Sequence, residues 1–265
     1  MDIFVVSRGR HNRCVTLESL GNLAPYSVSL VVHKSEEALY EPLAEKHGVK
    51  LVGLEYDGIA QKRNLIGTQL VSADRFLMLD DDIVFYRRKS TQDWHLRKLE
   101  EHEPIEMIAT LSGFLNPEYT VSYAHAGISA REGQNRLRPN YENNIRYMRV
   151  LGYRTEDYLQ CEHNRVRFME DFDVNLQLLR KGLKSVVLTD FAQNQSGTQA
   201  KGGCSNERTN ETHSEAAQKL AELHAPFVKL RQKQNKTGGE FGNRLEVTVS
   251  WKAAFASSQK QETLL

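Results

Sequence analysis

Short apolar runs alternate with amphipathic segments through the first eighty residues of the chain. The apolar runs are residues 3–6, 28–32, 49–54 and 75–79. The amphipathic segments, in which hydrophobic positions recur at helical spacing, are residues 14–20, 38–47 and 59–70. Strands separated by helices are typical of βαβ units. The pattern therefore predicts an α/β fold with a mostly parallel, Rossmann-type sheet flanked by helices, and a smaller mixed C-terminal part.

The pattern is looser after residue 83. It predicts strands over residues 105–111, 120–128, 186–188 and 244–249. It predicts helices over residues 143–151, 171–180 and 211–223, and a long polar loop over residues 193–210. Neither an internal repeat nor a linker interrupts the chain. We therefore expect one domain over residues 1–255, divided into halves at 1–83 and 84–255, followed by a polar tail at 256–265.

Composition and charge narrow the class of protein. The chain has 265 residues, of which 40% are hydrophobic and 26% charged, the mix of a globular protein. Its 35 basic and 34 acidic side chains give a formal charge of +1, which excludes a surface that is basic throughout but allows a local basic groove. The cysteines (Cys14, Cys161 and Cys204) form no CxxC pair, so we expect neither a disulfide framework nor a structural zinc site. Without signal-peptide features or a run of about 20 apolar residues, we expect a soluble cytoplasmic protein with no membrane partner.

The strongest chemical feature is Asp80-Asp81-Asp82, directly after the fourth apolar run. Three adjacent carboxylates repel one another, so they cost stability unless a cation neutralises them. Ligands bind at the carboxyl ends of strands in open α/β sheets, and residues 80 and 82 of an extended chain point the same way. Asp80 and Asp82 are therefore candidates to hold Mg²⁺ or Mn²⁺ together with a ligand diphosphate, and His213 is a candidate third metal ligand. The competing interpretations are a solvated acidic turn and a plain surface histidine.

Glu170 and Asp171 lie at the start of the helix predicted over residues 171–180. Carboxylates at this position are also expected as capping and dipole-stabilising groups. The functional interpretation is that Glu170 and Asp171 are catalytic, with Asp171 as a general base, which requires a carboxylate held close to the substrate hydroxyl. Asp173, just past the pair, is expected to be structural.

Basic and glycine-bearing segments are candidates for binding an anionic nucleotide near the same sheet edge. An arginine taken alone is usually solvated, and a glycine loop can simply be flexible. Together with a metal, however, several arginines facing one cleft suit a diphosphate, and glycines let backbone N–H groups approach phosphate. The predicted donor-site residues are Ser7, Arg8, Arg10, Arg63, Asn64, Asp80, Gly202, Gly203 and Arg208.

Two clusters of basic residues are candidates for binding a polyanion. Residues 131–154 contain six arginines, two acids and the tyrosines Tyr141, Tyr147 and Tyr153. Basic residues interleaved with aromatic ones suit a phosphate backbone with stacked or flipped bases, the alternative being a solvated helix face. The nucleic-acid-binding residues predicted here are Arg131, Arg136, Arg138, Arg146 and Arg149. The second cluster, with no acid in residues 225–237, is Lys229, Arg231, Lys233 and Lys236.

The order of these motifs resembles GT-A nucleotide-sugar glycosyltransferases. The resemblance is closer to the TET/JBP-associated glycosyltransferases found in bacteriophages, which are thought to add sugars to hydroxymethylated DNA bases. It extends over nearly the whole chain. The residues that carry it are Val6-Ser7-Arg8-Gly9-Arg10, Arg63-Asn64, Leu79-Asp80-Asp81-Asp82-Ile83, Ala126-Gly127-Ile128-Ser129 with Arg131, Glu170-Asp171, and Gly202-Gly203 with Arg208.

The resemblance implies a GT-A fold and a role for several residues. Asp80 and Asp82 correspond to the metal- and ribose-binding Asp-X-Asp, and Met169-Glu170-Asp171 resembles the X-Glu-Asp element whose aspartate is the base in inverting enzymes. Residues 1–83 are then the nucleotide-sugar-binding half, and residues 84–255 the acceptor-binding half. A viral enzyme of this kind would act in the cytoplasm of the infected host cell.

The expected function is a metal-dependent transfer of a sugar from a nucleotide-diphosphate sugar to the hydroxyl of a 5-hydroxymethylpyrimidine in DNA. The expected cofactors are Mn²⁺ or Mg²⁺, with UDP-glucose or a similar UDP-sugar as donor. One alternative is a glycosyltransferase that acts on a glycan or a protein, and another is an inactive DNA-binding module. A phosphotransferase or nuclease that uses the aspartate triplet is a third alternative, disfavoured because no further carboxylates cluster in the sequence.

Overall fold

The computed structural model describes residues 1–89, 95–131, 140–195, 203, 207–234 and 243–262, with side chains up to residue 259. Its strands are β1 (Asp2–Val6), β2 (Ser27–His33), β3 (Lys50–Leu54), β4 (Arg75–Asp80), β5 (Ile83–Arg88), β6 (Leu96–Lys98), β7 (His125–Ala130), β8 (Tyr141–Asn143), β9 (Val150–Arg154), β10 (Ser185–Gln195), β11 (Val228–Lys233) and β12 (Arg244–Val249). Its α-helices are α1 (Val15–Leu20), α2 (Glu37–His47), α3 (Gly58–Leu65), α4 (Glu103–Phe114), α5 (Thr155–Leu159), α6 (Glu170–Arg180), α7 (Asn210–Leu223) and α8 (Trp251–Glu262). None of these helices combines the length and apolar composition needed to cross a membrane.

The first ten strands form one sheet in the order β3-β2-β1-β4-β9-β7-β10-β5-β6, and β8 pairs with β10. The neighbours from β3 to β4 are all parallel, as are β7 and β10. Strands β9, β5, β6 and β8 join the sheet antiparallel to their neighbours. Strands β11 and β12 form a separate antiparallel hairpin beside α7. The predicted α/β fold, with its smaller mixed C-terminal part, is confirmed.

Alternation along the central strands places their side chains in two cores, one on each face of the sheet. In β1, Ile3 and Val5 belong to one core and Phe4 and Val6 to the other. A third core joins α6, α7 and α8. Parallel strands that are covered on both faces are continuously apolar. This is why strands β1 to β4 were recognisable in the sequence as apolar runs.

The register brings two predicted motifs to one edge of the sheet. Val6, the last residue of β1, pairs with Asp80, the last residue of β4. The segment that begins at Ser7 and the acidic triplet therefore leave neighbouring strands at the same height.

Two predictions after residue 83 were wrong. Residues 105–111 lie in helix α4, where Met107, Ile108 and Leu111 are buried at helical spacing. A short apolar run fits either a buried strand or a buried helix, and the Pro104 near the start of this helix favoured the helix. Residues 143–151, predicted as a helix, instead end strand β8, form a turn with left-handed residues at Asn144 and Arg149, and begin strand β9.

The predicted tail and loop were also only partly right. Residues 256–262 continue helix α8, whose buried Trp251 packs edge-on against Phe172 of α6 with ring centroids 5.1 Å apart. The loop predicted from residue 193 begins later, because β10 extends to Gln195. The division at residue 83 into a nucleotide-sugar-binding and an acceptor-binding half stays a prediction, and β9 of the second half pairs with β4 of the first in the same sheet.

Candidate active site

A cleft of about 550 Å³ opens at the sheet edge where β1 and β4 end, within the range of about 300–1,000 Å³ typical of small-molecule sites. Asn64, on α3, is not in its lining, and Gly202 lies outside the described residues. The predicted donor, metal and catalytic residues that do line it are Ser7, Arg8, Arg10, Arg63, Asp80, Asp82, Glu170, Asp171, Gly203, Arg208 and His213. We call Asp80, Asp81, Asp82, Glu170 and Asp171 the acidic cluster.

Two arginines pair with the aspartate triplet. Arg10 Nη1 donates to Asp81 and, over 2.8 Å, to Asp82 Oδ2, which also accepts from Gln195 Nε2 at 2.8 Å. Arg63 Nη2 donates to Asp80 Oδ1 over 2.7 Å. Each carboxylate therefore has a guanidinium partner, so part of the cationic neutralisation expected for this triplet comes from the protein itself.

Burial opposes the ionised forms of these aspartates. It raises the pKa of Asp81 to about 6, although Arg10 and the Ser7 hydroxyl act in the opposite direction. Burial also raises the pKa of Asp80, and Arg63 offsets part of that shift. Because removing an ion from water costs several kcal/mol, the arginines are needed to keep the cluster ionised.

The segment after β1 is fixed by partners that the sequence did not identify. The Ser7 hydroxyl hydrogen-bonds to Asp81 and lies 2.8 Å from Tyr40 Oη, which accepts the backbone N–H of Arg10 at 2.9 Å. Lys62 Nζ donates to the Ser7 carbonyl over 2.7 Å. Tyr40 and Lys62 lie 33 and 55 residues from Ser7 in the chain, and no local motif links such distant positions.

Gly203 contacts the same segment. Its backbone N–H donates to the Arg8 carbonyl over 2.9 Å, and its φ of +64° is a left-handed conformation that favours glycine. Arg8 in turn pairs with Glu207 at 2.6 Å. The predicted glycine-bearing loop and the predicted Ser-Arg-Gly-Arg segment thus meet in one place.

Arg63 connects the triplet to the start of α6. Its Nη1 donates to Glu170 Oε1 over 2.5 Å while its Nη2 holds Asp80. Burial raises the pKa of Glu170, Asp171 adds to the increase, and Arg63 opposes it. Met169, which precedes the helix, has a φ of +62°. This left-handed turn places both carboxylates at the helix N-terminus, where the dipole favours negative charge.

Asp171 and Asp173 differ sharply within this helix. Asp171 lines the cleft, and its carboxylate has no hydrogen-bond partner among the residues described. Asp173 is buried, pairs with Arg165, and lies 2.7 Å from His224 Nε2. The contacts of Asp173 agree with the structural role expected for it, whereas Asp171 remains available to a ligand.

The chemistry of Asp80 and Asp82 fits a hard cation. Asp80 Oδ1 is held by Arg63, and Asp82 Oδ2 by Arg10 and Gln195. The other oxygen of each carboxylate has no hydrogen-bond partner among the residues that the structure describes. Carboxylate oxygens are ligands that Mg²⁺ and Mn²⁺ prefer.

His213 does not complete a metal site. Within the described part of the chain, no three His, Cys, Asp or Glu side chains are arranged to hold a metal ion. His213 is buried, and its Nε2 lies 3.5 Å from Glu246 Oε2 on β12. The pKa of Glu246 is lowered to about 2 by His213 and by Arg244. The predicted set of Asp80, Asp82 and His213 is therefore not assembled here.

The arginines predicted to bind nucleic acid are divided. Arg146 lines the cleft and lies 5.1 Å above the Phe172 ring, and Arg149 lines it while donating to Gln193 Oε1 over 3.2 Å. Arg131 lies elsewhere, 5.1 Å from the Tyr86 ring. Arg136 and Arg138 lie outside the described residues.

Two of the tyrosines in that segment cannot stack on bases. Tyr147 and Tyr153 are buried in the core, and both hydroxyls donate to Asn175, at 2.8 and 3.1 Å. Only Tyr141 of the three is exposed. The prediction of interleaved stacking residues was therefore wrong for Tyr147 and Tyr153, because their aromatic rings complete the core beneath the sheet.

A second set of cations lines the cleft from the C-terminal hairpin. Arg231 and Lys233 of β11 and Arg244 of β12 belong to its lining. We call β11 and β12 with these three residues the basic hairpin. Two of its residues belong to the second basic cluster of the sequence, and Arg244 is an addition that strand pairing supplies.

Residues 1–203 match the profile of a family described as TET-Associated Glycosyltransferase. No curated protein matches the sequence. Among solved structures, the chain is similar to the inositol-1-phosphate CTP transferase from T. maritima, with 12% identity, 83% of this chain and 96% of that chain covered, and a TM-score of 0.47. It is also similar to the glycosyltransferase GlyE of Streptococcus pneumoniae TIGR4, with 12% identity, 59% and 35% covered, and a TM-score of 0.34.

Proposed function

The chain belongs to the TET-associated glycosyltransferases and is a glycosyltransferase; from this premise we propose that it moves a sugar from a UDP-sugar to the hydroxyl of a 5-hydroxymethylpyrimidine in DNA. The observation that carries the proposal is the convergence of the acidic cluster and several arginines in one cleft. Carboxylates suit a metal ion and a general base, and arginines suit a diphosphate.

The donor is proposed to lie against the segment after β1. Arg8, Arg10, Arg63 and Arg208 face the cleft from three segments of the chain, and Gly203 lines it as well. Guanidinium groups recognise phosphate oxygens through paired N–H donors. Ser7 and Asp80 complete this donor site, with Asp80 toward the ribose.

A divalent cation, Mn²⁺ or Mg²⁺, is proposed to be held by Asp80 and Asp82. When bound, it would neutralise charge on the departing diphosphate. Treatment with a chelator and the substitution Asp82→Asn should both abolish transfer, since the substitution removes a charged ligand while preserving shape. Stability should change little, because repulsion within the triplet falls while Arg10 loses its ion pair with Asp82 and keeps the one with Asp81. Full activity after both treatments would exclude the metal.

Asp171 is proposed as the base. Its carboxylate has no partner among the residues that the structure describes. It can accept the proton of the acceptor hydroxyl while that oxygen forms a bond to the anomeric carbon and the bond from this carbon to the diphosphate breaks. Glu170, held by Arg63, fixes the helix start beside it. Proton transfer by a positioned carboxylate contributes typically about 10²- to 10⁴-fold to the rate.

A panel of nucleotide sugars and acceptors tests the function. Each UDP-sugar is incubated with hydroxymethylated DNA, with unmodified DNA, or with glycan and protein acceptors, and the products are analysed by mass spectrometry. A mass increase confined to the hydroxymethylated DNA is expected. If only a glycan or a protein is modified, that molecule and not DNA is the acceptor. The absence of any nucleotide-sugar binding or hydrolysis would instead favour an inactive DNA-binding module.

A further inference from the structure

The basic hairpin follows the segment that matches the family, which ends at residue 203. Helix α7 holds it in place, because α7 packs against both strands and Ser214 Oγ accepts the backbone N–H of Leu245 at 3.0 Å. The hairpin is therefore a fixed part of the cleft lining that the matched segment does not supply.

Pairing within the hairpin brings like charges together. Lys233 lies directly opposite Arg244, and Arg231 lies opposite Glu246. Glu246 is already engaged, since Arg244 donates to it over 2.7 and 2.8 Å and His213 lies at 3.5 Å. Arg231 and Lys233 have no acidic partner among the described residues, and both are exposed. Like charges opposite one another destabilise a strand pair, so this arrangement favours binding of an anion.

Three arginines of the proposed donor site contrast with these two. Arg10 and Arg63 are held by the aspartate triplet and Glu170, and Arg8 by Glu207. Their charge is largely cancelled within the protein. Arg231 and Lys233 alternate along one strand, about 7 Å apart, so they present two uncancelled charges in a row. A linear polyanion matches such a row.

We propose that the basic hairpin binds the phosphate backbone of the acceptor nucleic acid and thereby holds the target base at the catalytic carboxylates. The proposal rests on the proposed function for the identity of the polymer. It assigns the main phosphate contacts to Arg231 and Lys233, rather than to the arginines of residues 131–154.

The test compares three pairs of substitutions. The hairpin variant carries Arg231→Gln and Lys233→Gln. The charge-matched control carries Lys219→Gln and Lys252→Gln, which remove two exposed lysines of α7 and α8 that lie outside the cleft. The charge-retaining variant exchanges the two cations, Arg231→Lys and Lys233→Arg. Circular dichroism checks that all three are folded.

Binding of a short, fluorescently labelled, unmodified DNA duplex is measured by anisotropy at several salt concentrations. The plot of log affinity against log salt has a slope of about −0.9 per phosphate neutralised. In the hairpin variant the slope should be less steep by about 1.8, because two cations are removed. The control and the charge-retaining variant should keep the wild-type slope. An unchanged slope in the hairpin variant, or an equal loss in the control, would overturn the proposal. So would a loss of donor affinity without a change in DNA affinity.

Transfer to the hydroxymethylated duplex separates this proposal from the proposed function. If the salt slope is flatter in the hairpin variant but the wild-type protein transfers no sugar, the hairpin does bind DNA and hydroxymethylated DNA is not the acceptor. Transfer with an unchanged slope and unchanged KM for DNA in the hairpin variant would refute the hairpin alone. A wild-type protein that binds no duplex at any salt concentration would overturn the hairpin proposal. Transfer to a free hydroxymethylated nucleoside would then test the chemistry by itself.

Discussion

The acidic cluster and the basic hairpin line one cleft but differ in whether their charged side chains are paired within the protein. Asp80, Asp81, Asp82 and Glu170 each have an arginine within hydrogen-bonding distance, all inside the protein. The exposed cations of the hairpin lack acidic partners among the residues described, and one faces another cation. In the first region the two arginines are already paired with carboxylates of the protein, whereas the second region leaves positive charge to be balanced from outside.

This difference separates two tasks of a transferase. Groups that position chemistry must keep their geometry without the substrate, and paired charges in a buried setting do so. A surface that binds a polymer gains affinity by releasing counterions from phosphates, which requires charges that are not already cancelled. Asp171 is the exception in the acidic cluster, because its carboxylate has no hydrogen-bond or ion-pair partner among the described residues.

The largest effect is expected for Asp171→Asn. The amide keeps the shape but cannot accept the proton, so kcat for transfer should fall by about 10²- to 10⁴-fold. The loss should appear in kcat, measured with saturating donor and acceptor. Asp173→Asn on the same helix is the comparison, since it breaks the pair with Arg165. It should lower the unfolding free energy while retaining far more activity, and equal losses of kcat would remove Asp171 from the mechanism.

The next effect is on stability. Arg63→Gln leaves Asp80 and Glu170 without their shared guanidinium in a buried site. Breaking a buried pair in this way costs about 3–5 kcal/mol, measurable by urea unfolding at neutral pH. The double variant Arg63→Gln with Glu170→Gln should recover part of the loss, because one unpaired charge is gone. A loss below 1 kcal/mol, within the range of surface pairs at about 0–1 kcal/mol, would show that Arg63 does not stabilise the cluster as a buried partner.

The pH dependence of stability gives a third check. The folded protein raises the pKa of Asp81 from 3.8 to about 6, so it binds that proton more tightly than the unfolded chain does. The contribution of Asp81 is thus most favourable below about pH 4 and declines as pH rises to about 6, by up to about 3 kcal/mol. Urea unfolding of wild-type protein and Asp81→Asn across this range should show a difference that changes in that direction. Parallel curves would contradict the raised pKa.

The smallest effect has the opposite sign from that of Arg63. Lys233→Gln removes the like charge opposite Arg244, so the unfolding free energy should rise by about 0.2–1 kcal/mol. The gain should shrink at high salt, because exposed charges are screened. Destabilisation by this substitution would mean that Lys233 is paired with an acidic partner, as Arg10 and Arg63 are in the acidic cluster.

The sequence predicted the acidic side of the cleft better than its basic side. Apolar runs on both sides of a parallel sheet located β1 and β4, and the rule that ligands bind at carboxyl ends placed Asp80–Asp82 there. The start of α6 was visible from its periodicity. Strand β11 gave no such signal, since only Val228 of its six residues is buried.

Contacts between side chains that are far apart in the chain could not be predicted from the sequence. Nothing local indicates that Arg63 bridges Asp80 and Glu170, because Glu170 lies 107 positions further along the chain. Tyr147 and Tyr153 looked suited to base stacking, yet their burial depends on a sheet order that places β9 beside β4. The residues were identifiable as candidates, while their partners required the fold.

We propose that the carboxylates of this cleft support transfer of a sugar to a hydroxymethylated base in DNA. The most direct test of this proposal uses two oligonucleotide duplexes that differ only in one base, hydroxymethylcytosine or cytosine, with hydroxymethyluracil as a second modified version. Each is incubated with a nucleotide-sugar panel and wild-type protein or Asp171→Asn, and intact strands are weighed by mass spectrometry. We expect a hydroxymethylated strand to gain the mass of one sugar with wild-type protein and hardly any with Asp171→Asn. No gain on any modified strand with any donor, or an equal gain on cytosine, would contradict the account.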